Sequence, residues 1–70
     1  MKELLRSIFA KNLRQYRLEK GFSQEKLAEM TGLHRTYISA LERERRNISI
    51  ENIEKISTVL EIDPYLLLKQ

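Results

Sequence analysis

A row of hydrogen-bonding side chains falls on one side of a helix that the sequence predicts from about residue 35 to residue 43. At about 100° per residue, Arg35, Thr36 and Ser39 share this side, and Arg43 closes the row. An arginine can donate two hydrogen bonds to a guanine edge, and threonine and serine hydroxyls can bond bases or phosphates. The row therefore suits a helix that lies in the major groove of DNA and reads its bases. An ordinary solvated helix face would carry the same residue types, so the row needs a supporting context.

The residues that follow this helix extend the same chemistry. Arg43, Arg46 and Asn47 lie at its end and in the loop beyond, where they could grip phosphates. Arg46 is also long enough to reach a base. Tyr37 leaves two interpretations open, because its hydroxyl can donate to a phosphate or the whole side chain can belong to the core. We expect Arg45 to be a solvated charge or the partner of a nearby glutamate.

The composition argues against catalytic and metal chemistry. The 70 residues include no cysteine and a single histidine, which excludes disulfides and thiolate metal sites and disfavours a histidine cluster. There is no glycine-rich phosphate loop, and the glutamates are spread along amphipathic faces rather than gathered in a pocket. We therefore expect no enzymatic activity, no metal and no other cofactor.

The length and the hydropathy pattern indicate one domain over residues 1–70. The longest uninterrupted apolar run, at 65–68, is far shorter than a membrane span. The N-terminal segment also lacks the long apolar run of a secretory signal. We therefore expect a cytoplasmic protein that does not bind a membrane.

Positive charge is concentrated in two parts of the chain. Residues 1–20 carry six Lys or Arg against two Glu, a net +4, and residues 34–47 carry +2. Residues 21–33 sum to −1, and residues 48–70 sum to −2. A surface that is basic at one end suits a polyanionic partner. A merely solvated surface is the other interpretation, because the overall net charge is only +3.

Helix signals run through the chain, and strand signals are nearly absent. Apolar residues recur at near-helical spacing over 4–18, and Gly21 suits a left-handed residue after that helix. Ser23 and Ser49 suit the N-caps of a second and a fourth helix, and Pro64 suits the start of a fifth. The pattern predicts an all-α fold, a compact bundle of five short helices. Its inward-facing residues are expected to include Leu27, Ala28, Met30, Ile38, Leu41, Ile50, Ile53, Ile56 and Leu60.

The break at Gly32 has a specific explanation. Two short helices joined by a tight turn and packed steeply across each other need a small residue at the crossing, which Ala28 supplies. The turn needs a backbone conformation that a side chain would resist, which Gly32 supplies. The second helix of the pair needs apolar anchors, which Ile38 and Leu41 supply.

The motif Gln24, Ala28, Gly32, Ile38 and Leu41 has the spacing of a helix-turn-helix. With its flanking segments 17–24 and 49–67, the chain resembles the phage repressor and Cro-like (XRE-type) family over about residues 10–68. Within that family, the segments 35–39, 41–43 and 46–47 are most similar to the controller proteins of restriction–modification systems. The resemblance implies a lambda-repressor-like five-helix fold with the helix-turn-helix in helices 2 and 3.

The resemblance also implies roles for residues outside the third helix. Gln24 would contact a DNA phosphate at the N-terminus of the second helix, and Ser23 would support it. Arg17 and Glu42 would form a buried ion pair that fixes the first and third helices relative to each other. Exposed and unpaired charges are the alternative. His34 departs from the family pattern, in which Asp or Ser often caps the third helix, and it leaves that cap open.

A regulator of this class is expected to bind a palindromic double-stranded DNA operator as a homodimer. The outward side of the apolar C-terminal segment, with Tyr65 and Leu68 next to Val59, is the expected dimer interface. A monomer that uses these residues in its core is the alternative. Binding near a promoter would either block RNA polymerase or recruit it. The sequence also leaves open a general phage-type repressor, and an antitoxin or protein-interaction module built on the same fold.

Overall fold

Residues 4–70, which the computed structural model describes, form four α-helices and one 3-10 helix, with no strand among them. The α-helices are α1 (Leu5–Glu19), α2 (Gln24–Thr31), α3 (Arg35–Glu42) and α4 (Ile50–Leu60), and the 3-10 helix spans Pro64–Leu67. The all-α class is therefore confirmed. The bundle of five helices is not, because the fifth element is a 3-10 turn of four residues.

The carbonyl groups at the end of the short C-terminal turn find a partner on α1. The side-chain amide of Asn12 donates one hydrogen bond to the Leu67 carbonyl (3.0 Å) and one to the Lys69 carbonyl (2.8 Å). Pro64 begins the turn, since its fixed φ suits a first helical position. Leu67 is fully buried, so even this short turn closes the core.

Seven large aliphatic side chains form the centre of the core. Each is under 2% exposed: Leu13, Leu27, Ile38, Leu41, Ile56, Leu60 and Leu67. Every helical element contributes at least one of them, and burial of each contributes about 1.5–3 kcal/mol. The core therefore holds α2 and α3 from their inner sides and leaves their outer sides free.

Two residues predicted for the core lie at the surface instead. Met30 is 45% exposed and Ile50 is 85% exposed. On a helical projection, Ile50 lies about 60° or more from the other apolar residues of α4, and Met30 lies on the side of Leu27 away from Ala28. Both residues stand at the edge of an apolar stripe, where periodicity alone does not separate core from surface.

Three of the four α-helices begin at a side-chain cap. Ser23 and Ser49 each accept a hydrogen bond from the backbone N–H three residues further on, at 2.9 and 3.1 Å, as predicted. At α3, Nδ1 of His34 accepts a hydrogen bond from the backbone N–H of Thr36 (3.1 Å). The histidine therefore fills the cap position that the sequence left open.

Two glycines take the left-handed conformation predicted for them. Gly21 has a φ of 75° after α1, and Gly32 has a φ of 76° at the end of α2. Apart from the glycine itself and the residues next to it in the chain, no atom lies within 4 Å of the position that a Cβ would take at either residue. Glycine is favoured there by its backbone freedom and not by lack of space.

Two glutamates hold the same conformation after α3 and α4, which the sequence did not predict. Glu44 has a φ of 62° and Glu61 a φ of 59°. Each carboxylate has a partner on α1 or just beyond it: Ser7 Oγ donates to Glu44 (2.6 Å), and Lys20 Nζ donates to Glu61 (2.5 Å). These contacts offset part of the strain that a Cβ brings to a left-handed residue.

Candidate nucleic-acid interface

The turn between α2 and α3 determines how α3 is presented. The backbone N–H of Gly32 donates to the Ala28 carbonyl (2.9 Å), which ends α2, and the His34 cap begins α3 two residues later. Ile38 and Leu41, which are 0% and 1% exposed, fix the inner side of α3 on the core. The opposite side of α3 consequently faces solvent.

This outer side carries the row of residues that the sequence singles out. Arg35, Thr36 and Arg43 are exposed, and Ser39 is half-buried. No hydrogen bond or ion pair joins Arg35 or Arg43 to any of residues 4–70, whereas the Thr36 hydroxyl lies against Nδ1 of His34. These two arginines therefore stand at the two ends of α3, with their backbones about 12 Å apart along its axis.

The Tyr37 side chain reaches from the first turn of α3 to the loop that follows this helix. Its ring packs against the core, and its hydroxyl donates to the Asn47 carbonyl (3.5 Å) and accepts from the Asn52 side-chain amide (3.1 Å). The Arg46 guanidinium lies over the ring, 5.2 Å from its centroid, which is within cation–π range. The ring therefore belongs to the edge of the core, and the hydroxyl hydrogen is directed at the Asn47 carbonyl, so a phosphate would have to replace this carbonyl as its acceptor. Tyr37 also holds Arg46 and Asn47 next to α3.

The loop after α3 is fastened at a second point. The Ser7–Glu44 hydrogen bond joins it to the first turns of α1. Arg45 is exposed and forms no ion pair within residues 4–70, which favours its interpretation as a solvated charge.

A buried ion pair joins α1 to α3. Arg17 Nε donates to Glu42 Oε2 (2.6 Å), and Arg17 Nη2 donates to Glu42 Oε1 (3.0 Å). The two side chains are 9% and 5% exposed. Arg17 Nη1 also donates to the Phe22 carbonyl (2.8 Å), so the turn before α2 is held by the same guanidinium. The pair has the position and the burial that the family resemblance implied.

Gln24 makes a contact that the sequence did not predict. Its Nε2 donates to Glu42 Oε1 (3.1 Å), the oxygen that Arg17 Nη2 also binds. Gln24 is the first residue of α2, where backbone N–H groups have no partner within the helix. No local pattern links a glutamine to a glutamate 18 residues away, because the contact depends on how α2 crosses α3.

An apolar groove lies between α1, the loop after α3 and the C-terminal segment. Its volume is about 300 Å³, and its wall contains Leu5, Arg6, Phe9, Arg46, Asn47, Ile48, Ile53 and Leu68. Leu68 is 38% exposed and Tyr65 is 62% exposed. Val59 is half-buried and lines a separate depression with Met30 and Lys55. Of the three residues expected at a dimer interface, only Leu68 therefore lines the groove.

Within residues 4–70, no group of three or more His, Cys, Asp or Glu side chains could hold a metal ion. None of the helices in this described part of the chain is long and apolar enough to cross a membrane.

The crossing of α2 and α3, with a left-handed glycine between them, defines a helix-turn-helix protein. The helix-turn-helix family model matches residues 13–67, and the chain belongs to this XRE-type family. Its members are DNA-binding transcription regulators and not a class of enzymes.

Controller proteins of restriction–modification systems are among the close relatives. The control protein C.BamHI from Bacillus amyloliquefaciens is 54% identical over 65 residues, which cover 91% of this chain and 80% of that protein. A Neisseria hypothetical transcription factor from Neisseria meningitidis serogroup B is 52% identical over 64 residues. That match covers 91% of this chain but only 60% of the Neisseria protein, so the chain spans less than two thirds of that relative.

Solved structures give the same result for the fold. The controller protein C.AhdI from Aeromonas hydrophila has a TM-score of 0.86 at 45% identity, covering 89% of this chain and 94% of that one. The C.Esp1396I tetramer in complex with its natural 35 base-pair operator has a TM-score of 0.83 at 39% identity, covering 94% and 87%. The regulator SinR in complex with DNA has a TM-score of 0.84 at 40% identity, covering 87% and 98%.

Proposed function

We propose that this protein is a sequence-specific transcription regulator that binds a palindromic operator as a homodimer and controls restriction–modification genes. The outer side of α3 is the observation that carries the proposal. Arg35 and Thr36 are exposed at its N-terminal end, while the inner side is fixed on the core. The N-terminal residues of a recognition helix reach base edges when the helix lies in the major groove.

We assign the base contacts to Arg35, Thr36, Ser39 and Arg46. Arg35 has no internal partner among residues 4–70, so its guanidinium is free to bond a guanine. Thr36 and Ser39 supply shorter groups along the same row, and the Thr36 methyl suits a thymine. Arg46 belongs to the loop after α3 and is held over the Tyr37 ring, where its guanidinium is available to a base outside the row.

The phosphate contacts lie on both sides of this row. Gln24 and Ser23 stand at the N-terminus of α2, where free N–H groups and the helix dipole favour an anion. Arg43 and Asn47 stand at the other side, at the end of α3 and in the loop beyond, and the Tyr37 side chain reaches this loop from the first turn of α3. A duplex bound between these two sets would place its major groove over α3.

A second copy of the chain would complete the site. One recognition helix reads only a few base pairs, whereas a dimer reads two half-sites about 34 Å apart. Leu68 lines an apolar groove that also has Arg46 and Asn47 in its wall, so a partner that covers the groove would bring the two loops close to the dyad. We also assign to the interface Tyr65, which is 62% exposed and three residues before Leu68 in the chain, and Val59, which lines the separate depression with Met30.

The controller role is supported by the similarity to C.BamHI and C.AhdI. A dimer bound next to a promoter would block RNA polymerase or recruit it. A genomic operator as the target would place the protein in the cytoplasm. A methyltransferase gene and a nuclease gene beside its own gene would support the controller role over that of a general repressor.

Selection of bound duplexes from a random pool tests the proposal. We expect enrichment of a sequence with dyad symmetry, and an affinity that falls steeply as the salt concentration rises. If no duplex is shifted in a gel even at low salt, the protein is not a DNA reader, and the protein-interaction module is favoured instead. If a single asymmetric half-site is enriched, the dimer is wrong while DNA binding stands.

A further inference from the structure

We propose that Glu42 is a positioning residue for DNA-backbone binding: it holds the Gln24 side-chain amide so that one Nε2 hydrogen stays available to a phosphate. The inference rests on the proposed phosphate contact of Gln24. It adds to that contact a residue that acts without touching DNA.

The carboxylate of Glu42 is a fixed point in the structure. Its two oxygens accept hydrogen bonds from Nε and Nη2 of Arg17, at 2.6 and 3.0 Å. Arg17 is in turn held by the Phe22 carbonyl (2.8 Å), and the Glu42 side chain is only 5% exposed. Glu42 Oε1 therefore presents an acceptor of defined position to the N-terminus of α2.

This acceptor determines which way the Gln24 amide faces. A glutamine amide has two N–H donors on Nε2 and one acceptor, Oε1. Glu42 Oε1 takes one of the two hydrogens at 3.1 Å. If the amide were flipped, Gln24 Oε1 would face a carboxylate oxygen with no hydrogen between them. The amide is therefore held with Nε2 towards Glu42. Its second Nε2–H stays free to donate a hydrogen bond to a phosphate oxygen.

The ion pair also removes an electrostatic obstacle. A lone carboxylate beside the α2 N-terminus would repel a phosphate, whereas Arg17 offsets the charge of Glu42 at 2.6 Å. Gln24 is thus held by an acceptor whose charge is already neutralised. Because a rotamer-rich side chain normally loses freedom when it binds, fixing it in advance is expected to raise affinity by about three-fold to ten-fold.

A double-mutant cycle on DNA affinity tests this role. Gln24→Met removes the amide at nearly constant volume. Arg17→Met with Glu42→Leu removes both members of the pair, so no buried charge is left unpaired. We expect Gln24→Met to weaken binding to random duplex by about five-fold to ten-fold, and the double variant to weaken it by about three-fold to ten-fold. The triple variant should bind no worse than Gln24→Met alone.

The outcomes separate the inference from the proposed function. Losses that add in the triple variant would overturn the positioning role, because Glu42 would then matter only for the fold. An unchanged affinity in Gln24→Met would remove the phosphate contact itself and overturn the inference with it. Gln15→Met is the matched control, since the Gln15 amide bonds Glu19 on the exposed side of α1 (3.2 Å) and should not affect binding.

If the double variant does not fold, NMR of the wild-type protein tests the positioning role instead. Side-chain amide NMR should show slow exchange for one Nε2 hydrogen of Gln24 in the free protein. The other hydrogen should become protected only when duplex is added, while the amide of Gln15 does not respond. Two Gln24 hydrogens that exchange equally fast in the free protein would overturn the proposal.

Discussion

Arg35 and Arg43 carry the same charged group at opposite ends of α3, and their positions predict different functions. Arg35 opens the helix beside the His34 cap, where base edges are within reach of a recognition helix. Arg43 follows the last helical residue, where we expect it to meet the DNA backbone and not a base edge. Neither guanidinium is engaged within residues 4–70, so each is available to DNA without breaking an internal contact.

Replacing these arginines separates base reading from backbone binding. Arg35→Ala should cost about 1–3 kcal/mol at the selected operator and relax the preference at one base position. Arg43→Ala should weaken operator and random duplex alike and lower the salt slope by about one. Titrations of both duplexes at several salt concentrations measure these effects. Arg45→Ala is the control. If Arg35→Ala loses the same affinity on both duplexes, Arg35 is not a base-reading residue.

The Arg17–Glu42 pair predicts an asymmetric response of stability. Glu42→Ala leaves a buried guanidinium without its carboxylate, so the free energy of unfolding should fall by about 3–5 kcal/mol. Arg17→Met with Glu42→Leu removes both charges and should cost much less than the single change. Urea unfolding of the wild type, Glu42→Ala and the double variant measures these differences in the free energy of unfolding. A loss below about 1 kcal/mol in Glu42→Ala would mean that the pair behaves like an exposed one.

Individual contacts were predictable where the residue type imposes them. The left-handed glycines and the serine caps follow from backbone chemistry, and Ile38 and Leu41 follow from helical spacing. The Gln24–Glu42 hydrogen bond does not, because it exists only once α2 and α3 have crossed. Met30 was misplaced for a related reason, since the angular width of the core is set by the neighbouring helices.

At the scale of the elements, α1, α3 and α4 all end at a left-handed residue with the same backbone bonds. After each of these helices, the residue that follows Gly21, Glu44 or Glu61 donates its N–H to the carbonyl five residues earlier, at 2.8–3.1 Å. A glycine signals such an end in the sequence, whereas a glutamate gives no signal. The helix ends after α3 and α4 were therefore harder to predict than the helices themselves.

The positive φ of Glu61 at the end of α4 predicts how substitutions at this residue rank in stability. Glu61→Gly and Glu61→Ala both lose the contact with Lys20, but only alanine keeps a Cβ at a φ near 59°. Glu61→Gly should therefore be more stable than Glu61→Ala by about 1 kcal/mol. Thermal or urea unfolding measures the difference. At Glu54, inside α4, the alanine variant should be more stable than the glycine variant. If the alanine variant is the more stable one at Glu61 as well, the argument is wrong.

The contact between Lys20 and Glu61 predicts a pH effect. The hydrogen bond from Lys20 and its charge lower the pKa of Glu61 below the ordinary value of 4.5. Because the pKa is lowered in the folded state, the contribution to stability is present above the ordinary value. It is lost as the pH falls through the lowered pKa.

Lys20→Met should return the pKa of Glu61 towards its ordinary value, since both lowering causes come from Lys20. An NMR titration of the Glu61 carboxyl in the two proteins measures the shift. Lys26→Met is the control, because Lys26 pairs with Glu29 instead. A Glu61 titration that is unchanged in Lys20→Met would show that the contact does not persist in solution.

At the scale of the whole molecule, charge and apolar surface meet at one place. The basic segments 1–20 and 34–47 supply Arg6 and Arg46 to the wall of the same apolar groove. The sequence indicated an exposed apolar patch at the C-terminal end, but not that α1 and the loop after α3 would border it. Asn12 and the buried Leu67 hold the C-terminal segment against α1, which brings Leu68 to this groove.

This arrangement predicts that dimerisation depends on Leu68. A wild-type chain should sediment as a dimer at micromolar concentration, because an exposed apolar groove beside a small core favours pairing with an identical copy. Leu68 is 38% exposed, so the variant Leu68→Lys should stay folded. Its charge lies in the groove wall, so the variant should sediment as a monomer and bind the operator weakly.

Leu18→Lys is the matched control, since Leu18 is 56% exposed on α1 and lies outside the groove. Analytical ultracentrifugation of the three proteins measures the association, and far-UV circular dichroism confirms the helices. A wild-type chain that remains monomeric at hundreds of micromolar would contradict the dimer, and a dimeric Leu68→Lys would place its interface elsewhere.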